Sequence, residues 1–521
     1  MTLLAIIFGA SAVAYFGSVA MRIPRIPILI IIGFVLGTII PTEQQISLRD
    51  HLDLSLTFLL FGAGIELNPK KFKSQTGSIY WVGLVQFFTI LIGGILMALA
   101  LDFSIEVSIF LGFGLSASST LAVLQFLRQK HQSIEPFGRL VVGVLLLQDV
   151  VFMTGMAAIS RWPAPVWELF LGAIYFLLLG GLAMFCQRTF FPRFIHKYAN
   201  DVEFLVLGSI SVCFAFVGLA RALELPLEIG AFLAGFSLAK FPTAGVLRGV
   251  LSSFFGFFGG IFFVTLGASI QITDWSLLWT GFALSCVVWV FTPLSVFVVS
   301  RIRRRSWRGA LSAGFYLAQT SELSLVLGLT CVRAELVDES FFNILTLVTI
   351  MTTLATPVLT SQRWIDFLLH SFSRFDRINH PEKVKVSMTD HAVILGFGDG
   401  GPHLIRPIKE SGYPILVVED DGRVVDQLRN LKLNCLFGDA GDPHILKLAN
   451  LDKAAFALVS MRRFDDIKPV LKYAKRVKIF VRVFEDSDAA KVSGLGGIPV
   501  SSPHAAAVAL EKWLDNSSIT K

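Results

Sequence analysis

The sequence has little charge: only 16% of its 521 residues are Asp, Glu, Lys or Arg, whereas soluble proteins carry about 25%. This scarcity excludes an ordinary soluble enzyme. A hydrophobic content of 54% and a mean hydropathy of +0.68 instead indicate a polytopic α-helical membrane protein. The net charge of +7 comes from basic residues in short loops, so it reports membrane topology and predicts no nucleic-acid partner.

Cysteine motifs and processing signals are also lacking. The five cysteines include no close pair, so the sequence gives no disulfide or metal signal. The N-terminus lacks a basic n-region and a clear cleavage site, and Leu3–Met21 is therefore predicted to be a retained first helix.

Apolar runs predict about thirteen membrane spans. They are Leu3–Met21, Ile26–Ile40, Leu52–Glu66, Ile79–Leu101, Val107–Leu127, Leu140–Ile159, Val166–Cys186, Phe204–Leu219, Leu227–Ala239, Leu251–Ile270, Leu277–Val299, Ala310–Val332 and Phe342–Leu359. Basic residues concentrate in alternate loops, such as Lys70–Lys73 and Arg301–Arg308. The positive-inside rule then places the N-terminus outside and the C-terminal region in the cytoplasm.

Two polar residues, Gln148 and Asp149, interrupt the aliphatic stretch Val141–Met153. A carboxylate at that depth is costly to bury, so we interpret Asp149 as the ion- and proton-binding group of a cation transporter. The alternative is a polar pair that only bridges helices. Spans ten and eleven offer Asp149 no basic partner, and its charge is expected to be balanced by a proton or a metal cation (K⁺ or Na⁺) in turn.

Polar clusters also interrupt the fifth span, at Ser116–Thr120, and the twelfth, at Gln319–Ser324. These spans run in opposite directions, which points to inverted repeats with crossed, broken helices around a midplane site. The candidate ion ligands are Gln148, Asp149, Ser118, Ser119, Thr120, Gln319, Ser321 and Glu322. Glu322 is interpreted mainly as a partner that holds the crossing together. The alternative is that the hydroxyls only bond back to their own helices.

Three further acidic residues lie near the ends of predicted spans. Glu66, Glu224 and Glu228 are expected to be solvated or to cap helices. The small residues of Gly230–Gly235 favour close helix contact.

The composition changes after Phe375. We predict a transmembrane domain over residues 1–373, a charged linker over 374–390 and a Rossmann-like cytoplasmic domain over 391–521. Its short apolar runs, predicted to be parallel strands, are Ala392–Leu395, Ile415–Val418, Asn434–Phe437, Ala455–Val459, Lys478–Val483 and Ile498–Val500.

A GxGxxG motif, formed by Gly396, Gly398 and Gly401, directly follows the first of these strands. Such glycines let a pyrophosphate approach a helix N-terminus, and Glu419 has the spacing of a ribose-binding acid. We therefore predict an adenine nucleotide, NAD(H) or AMP/ATP, as a regulator and no catalytic cofactor, because no catalytic constellation accompanies the motif. The alternative is a Rossmann fold that has lost its nucleotide.

Several motifs together resemble those of a known family. They are Phe61-x-x-Gly64-x-Glu66-Leu67-x-Pro69, Ser118-Ser119-Thr120, Gln148-Asp149, Gly230-Ala-Phe-Leu-Ala-Gly235, Phe262-Phe263-x-x-x-Gly267 and Gln319-x-Ser321-Glu322. Over nearly its whole length the chain resembles the monovalent cation:proton antiporter-2 family, in particular the Kef-type potassium-efflux systems. The cytoplasmic part resembles TrkA-N nucleotide-binding domains, in which Asp439 and Ala440 match a nucleotide-contacting loop.

The resemblance implies a homodimer in a bacterial cytoplasmic membrane, with a dimerisation bundle, a moving core bundle and elevator-type alternating access. The Gln-Asp pair, where electrogenic sodium relatives have Asp-Asp, implies electroneutral K⁺/H⁺ exchange. Glutathione-gated relatives have an acidic loop before span ten. Lys240–Thr273 contains no acid and the chain stops at Lys521 without a long extension, so we do not expect glutathione gating.

Three other functions remain open at this point. Na⁺/H⁺ exchange would use the same scaffold. A ligand-gated K⁺ channel is disfavoured because the sequence has no TVGYG-like filter and too many spans. A membrane-anchored NAD enzyme is disfavoured because catalytic residues are missing.

Overall fold

A computed structural model describes residues 2–21, 25–39, 42–66, 76–130, 132, 135–191, 201–239, 243–269, 275–303, 307–361, 364–365, 367–368, 388–397, 401–419, 421–438, 440–441, 443–461, 464–474, 477–483 and 486–501. The chain forms two compact units. The first comprises Met1–Ser300 and Arg308–Leu368, and the second comprises Leu369–Lys521 with the segment Arg301–Trp307.

The first unit is helical, because its long apolar runs satisfy their backbone hydrogen bonds internally only as helices in a bilayer. Its helices are α1 Thr2–Met21, α2 Arg25–Gly37, α3 Thr42–Glu66, α4 Thr76–Ala100, α5 Ile105–Ser116, α6 Thr120–Gln129, α7 Pro136–Ile159, α8 Val166–Phe185, α9 Val202–Ala222, α10 Leu227–Leu238, α11 Thr243–Ala268, α12 Trp275–Ile302, α13 Trp307–Leu317, α14 Leu323–Arg333 and α15 Glu339–Leu359. A π-helical turn, Cys186–Phe190, extends α8.

Seven helices among the described residues are long and apolar enough to cross a membrane, and six shorter apolar helices accompany them. The predicted fifth span is two helices, α5 and α6, and the predicted twelfth is α13 and α14. The predicted broken helices are thus confirmed. Some predicted ends were wrong: α3 begins at Thr42, ten residues before the apolar run on which the prediction rested.

The helices pack as two groups, and α8 lies between them in contact with α7 and α10. The scaffold bundle contains α1–α3 and α9–α11, and the core bundle contains α4–α7 and α12–α15. In the scaffold bundle, α3 and α10 touch backbone to backbone: a Cβ added at Gly235 would lie 2.0 Å from the Phe61 carbonyl oxygen. Glycine is therefore required there, as the small residues of this helix predicted.

The second unit contains a parallel sheet. Its strands are β1 Ala392–Leu395, β2 Ile415–Glu419, β3 Asn434–Phe437, β4 Phe456–Val459, β5 Lys478–Val483 and β6 Ile498–Ser501. Its helices are α16 Gly401–Glu410, α17 Gly422–Asn430, α18 Pro443–Leu448, α19 Phe464–Tyr473 and α20 Asp486–Gly494, with a 3₁₀ turn at Leu451–Lys453. The order β3-β2-β1-β4-β5-β6 places the reversal of strand order between β1 and β4, where Rossmann folds bind ligands.

The burial of β1 and β2 shows why this part of the chain forms a parallel sheet. Every residue of β1 and β2 is buried, and all of them except Glu419 are apolar, as expected of parallel strands covered on both faces. All six predicted strands are present, with ends within one residue of the prediction.

Candidate ion-binding and nucleotide-binding sites

The two broken spans of the core bundle cross at their unwound segments. Ser118 and Thr320 form an isolated antiparallel bridge. The Ser118 hydroxyl donates to the Leu317 carbonyl (2.7 Å), and the Ser321 N–H donates to the Ala117 carbonyl (3.0 Å). The backbone groups released by unwinding thus bond across the crossing, which permits non-helical backbone at membrane depth.

Helix ends meet at this crossing. The hydroxyl of Ser119 caps α6 by accepting from the Ala122 N–H (3.2 Å), and that of Ser321 accepts from the Leu323 N–H at the start of α14 (3.1 Å). The starts of α6 and α14 carry partial positive charge, which favours carboxylates nearby.

Asp149 lies on α7 directly beside the crossing. Its side chain is buried, and its Oδ2 accepts from the Thr120 hydroxyl (2.8 Å) at the first residue of α6. The preceding residue, Gln148, accepts from the Ser118 N–H through its Oε1 (3.3 Å). Two adjacent residues of α7 therefore hold the end of the unwound segment: Gln148 binds the backbone of Ser118, and Asp149 binds the side chain of Thr120.

Glu322 comes to the same helix start from the other broken span. The Ser119 hydroxyl donates to its Oε1, and the side chain is buried. Asp149 and Glu322 thus bind adjacent residues, Thr120 and Ser119, at the start of α6. Neither carboxylate forms an ion pair with a lysine or arginine within the described part of the chain.

Other predicted ligands have different surroundings. The Gln319 amide lies 3.4 Å from the Tyr316 carbonyl, while its Oε1 and the Thr320 hydroxyl have no hydrogen-bond partner among the described residues, although both are buried. The Thr320 N–H donates to the Thr352 hydroxyl on α15 (3.1 Å).

Sequence reasoning missed Gln86 on α4. Its Oε1 accepts from the Gln148 amide, and its side chain is 1% exposed. The available signal was a lone glutamine in an otherwise apolar span, but its partner is 62 positions away in the chain.

Ion pairs join the two bundles at the helix ends opposite the predicted cytoplasmic loops. Arg161 after α7 pairs with Glu224 before α10 (3.2 Å), and Arg333 at the end of α14 pairs with Asp53 on α3. Of the two roles expected for Glu228, solvated or capping, the solvated one was wrong, because the residue is 7% exposed. It lies in the first turn of α10. The side chain of Glu66 lies outside the described residues.

In the second unit, the glycine motif has the backbone that its sequence predicts. Gly396 has a φ of +78°, a left-handed conformation suited to glycine, and a Cβ there would lie 3.1 Å from Met461 Cγ after β4. Gly401 begins α16. Gly398 falls outside the described residues.

The acid at the end of β2 is joined to this loop. Glu419 accepts from the Phe397 N–H (2.7 Å) and from the Asp421 N–H (3.1 Å). The carboxylate therefore ties the end of β2 to the start of the glycine loop. Ala440 is buried after β3, and Asp439 lies outside the described residues.

Crossed broken helices around buried carboxylates, with a Rossmann-like domain, define a polytopic ion transporter carrying a nucleotide-binding domain. The chain belongs to the sodium/hydrogen exchanger family: the family model for the transmembrane sodium/hydrogen exchanger matches residues 3–361. A TrkA-N domain, which is a nucleotide-binding regulatory domain, matches residues 392–503. The chain is thus a cation/proton antiporter of a transporter family and not an enzyme, and the resemblance to Kef-type antiporters is confirmed.

The chain is also similar to individual proteins. The glutathione-regulated potassium-efflux system protein KefC of Cronobacter sakazakii is 26% identical over 90% of this chain and 77% of its own length. The sodium proton antiporter MjNhaP1 of Methanocaldococcus jannaschii has a similar fold, with a TM-score of 0.52 and 16% identity over 73% of this chain and 98% of its own. The TrkA-N domain of the Escherichia coli inner membrane protein ybaL matches 25% of this chain and 99% of its own, at 22% identity and a TM-score of 0.24.

Proposed function

We propose that this protein is an electroneutral K⁺/H⁺ antiporter in which Asp149 binds a proton and a potassium ion in turn. The observation that carries the proposal is the burial of Asp149 at the helix crossing, where it is 3% exposed and accepts from the Thr120 hydroxyl. K⁺ is favoured over Na⁺ by the similarity to a potassium-efflux protein. Na⁺/H⁺ exchange is the second candidate, since the family model is that of sodium/hydrogen exchangers.

The negative charge of the site explains why a proton and a monovalent cation compete for Asp149. Two neighbouring buried carboxylates cannot both stay charged without a compensating ion. A proton or a monovalent cation on Asp149 supplies the same single charge, so each cycle exchanges one for the other with no net charge moved. Oxygens from the crossing, including those of Ser118, Ser119, Thr120, Gln319 and Ser321, are the further ligands that we propose. Glu322 holds the crossing together through Ser119.

Alternating access follows from the two bundles. We propose that the core bundle moves against the scaffold bundle, which also dimerises. The pairs Arg161–Glu224 and Arg333–Asp53 join the bundles at the same end, and a motion that opens this end must break them. In the topology we propose, with the N-terminus outside a bacterial cytoplasmic membrane, this end faces outward. The domain limits that we propose are 1–373, 374–390 and 391–521.

Nucleotide binding by the second unit is proposed to bias transport. Gly396, Gly398 and Gly401 would bring N–H groups to the phosphates, Glu419 would accept from the ribose, and Asp439 with Ala440 would lie near the base. The left-handed Gly396 and the strand order fit such a ligand, NAD(H) or AMP/ATP. Regulation requires that the nucleotide bind one transport state more tightly than the other.

Flux in proteoliposomes tests the transport proposal. A K⁺ gradient or a Na⁺ gradient should be imposed on proteoliposomes that contain a pH-sensitive dye. Each measurement should be made at zero membrane potential and at an imposed one. The expected result is proton movement coupled to K⁺ and unaffected by potential. Coupling to Na⁺ alone would select the second candidate, whereas a potential-dependent rate would overturn electroneutrality, since each net charge feels about 2.3 kcal/mol per 100 mV. Current without proton movement would indicate a channel.

A further inference from the structure

We infer that Gln86 is a positioning residue of the ion site, acting on Asp149 through Gln148; this rests on the proposed function. The Ser118 N–H and the side-chain amides of Gln148 and Gln86 form a hydrogen-bonded series in which each group donates to the next. The Ser118 N–H donates to Gln148 Oε1 (3.3 Å), and the Gln148 amide nitrogen donates to Gln86 Oε1.

The first donor, the Ser118 N–H, determines which groups of this hydrogen-bonded series donate and which accept. A backbone N–H can only donate, so the oxygen of Gln148 must face Ser118 and its NH₂ group must face Gln86. Gln86 must then present its own oxygen. Gln86, Gln148 and Ser118 are each 1% exposed, so water does not compete for these groups. The orientation of Gln148 is therefore set from α4, outside the broken spans.

Positioning matters because Gln148 and Asp149 hold the same short segment. Gln148 fixes the backbone at Ser118, and Asp149 meets the hydroxyl of Thr120 two residues later (2.8 Å). If the Gln148 amide turns, its oxygen leaves the Ser118 N–H, and the hydroxyls of the crossing shift relative to Asp149. The oxygen and the nitrogen of the Gln148 amide both form hydrogen bonds in this series. We therefore assign Gln148 the role of holding the segment, while Asp149 binds the exchanged ion.

Gln86→Met keeps the length of the side chain and removes the acceptor. A buried hydrogen bond lost in this way is expected to raise the apparent KM for the cation about tenfold, the change that corresponds to about 1.4 kcal/mol. Gln86→Glu keeps an acceptor for the Gln148 amide and should restore the KM toward the wild-type value. The matched control is Gln132→Met, which removes another buried glutamine whose Oε1 accepts from the Tyr316 hydroxyl (2.7 Å).

The decisive experiment is a double-mutant cycle on the full-length protein in proteoliposomes, with K⁺ and Na⁺ as the cations and melting temperature measured in parallel. The inference predicts that Gln86→Met raises KM in the wild type and adds nothing in a Gln148→Leu background, and that Gln132→Met leaves KM unchanged. Additive effects of Gln86→Met and Gln148→Leu would overturn it. A fall in melting temperature with an unchanged KM for Gln86→Met would also overturn it.

Wild-type protein serves to separate this inference from the function on which it rests. If the wild type exchanges cations for protons and only the cycle fails, Gln86 is a structural residue and the proposed antiport stands. If the wild type exchanges neither cation for protons, the proposed function is overturned, and the positioning role is overturned with it.

Discussion

Removing the Thr120 hydroxyl tests the contact between the crossing and Asp149. Thr120→Val keeps the shape of the side chain and deletes a 2.8 Å hydrogen bond between two buried groups, which are 4% and 3% exposed. A hydrogen bond to a charged group contributes about 1.5–3 kcal/mol. The carboxylate is charged when it binds a cation, so the expected result is a tenfold to hundredfold rise in the apparent KM for the cation, following about 1.4 kcal/mol per factor of ten.

Proton-coupled cation flux in proteoliposomes measures this KM. Thr120→Ser retains the hydroxyl and should stay close to the wild type. Thr346→Val is the matched control, because that buried hydroxyl donates to the Phe342 carbonyl of its own helix (2.8 Å). A wild-type KM in Thr120→Val protein that still melts normally would refute the reasoning.

Three further predictions concern parts of the molecule outside the crossing. Gly396→Ala should weaken nucleotide binding about tenfold in calorimetry on the full-length protein. Its φ of +78° costs any other residue about 1–2 kcal/mol, which the free loop would relieve by leaving this conformation and which binding would have to restore. Gly412→Ala, at φ +80° in a turn away from the motif, should not weaken binding. Arg333→Gln should change the cation KM by at most about fivefold in flux assays, since exposed ion pairs contribute about 0–1 kcal/mol. Gly235→Leu should lower the melting temperature sharply, unlike Gly218→Leu, which meets open space.

Much of the fold was predictable because each element carries its own pattern. Apolar runs placed the spans, and the polar clusters at Ser116–Thr120 and Gln319–Ser324 predicted the two breaks that the structure contains. Hydroxyl and amide groups are tolerated there because they serve backbone groups that unwinding exposes. The strands of the second unit followed equally well, since a buried parallel strand is a continuous apolar run.

Contacts between distant segments were not predictable. The sequence named Gln148 and Asp149, but nothing local indicates that Gln86 holds Gln148 from α4. Glu228 resembles a solvated acid at a helix start, but the packing of α10 within the scaffold bundle leaves it 7% exposed. Such roles arise only when the helices are assembled.

The most direct test of the central claim is proton-coupled K⁺ flux through Asp149→Asn protein. The substitution keeps the shape of the side chain and an oxygen that can accept from the Thr120 hydroxyl, so the protein should fold and melt near the wild-type temperature. It also removes the group that can bind a proton or a cation in turn. The account predicts no exchange above empty liposomes, and exchange at the wild-type rate would contradict it.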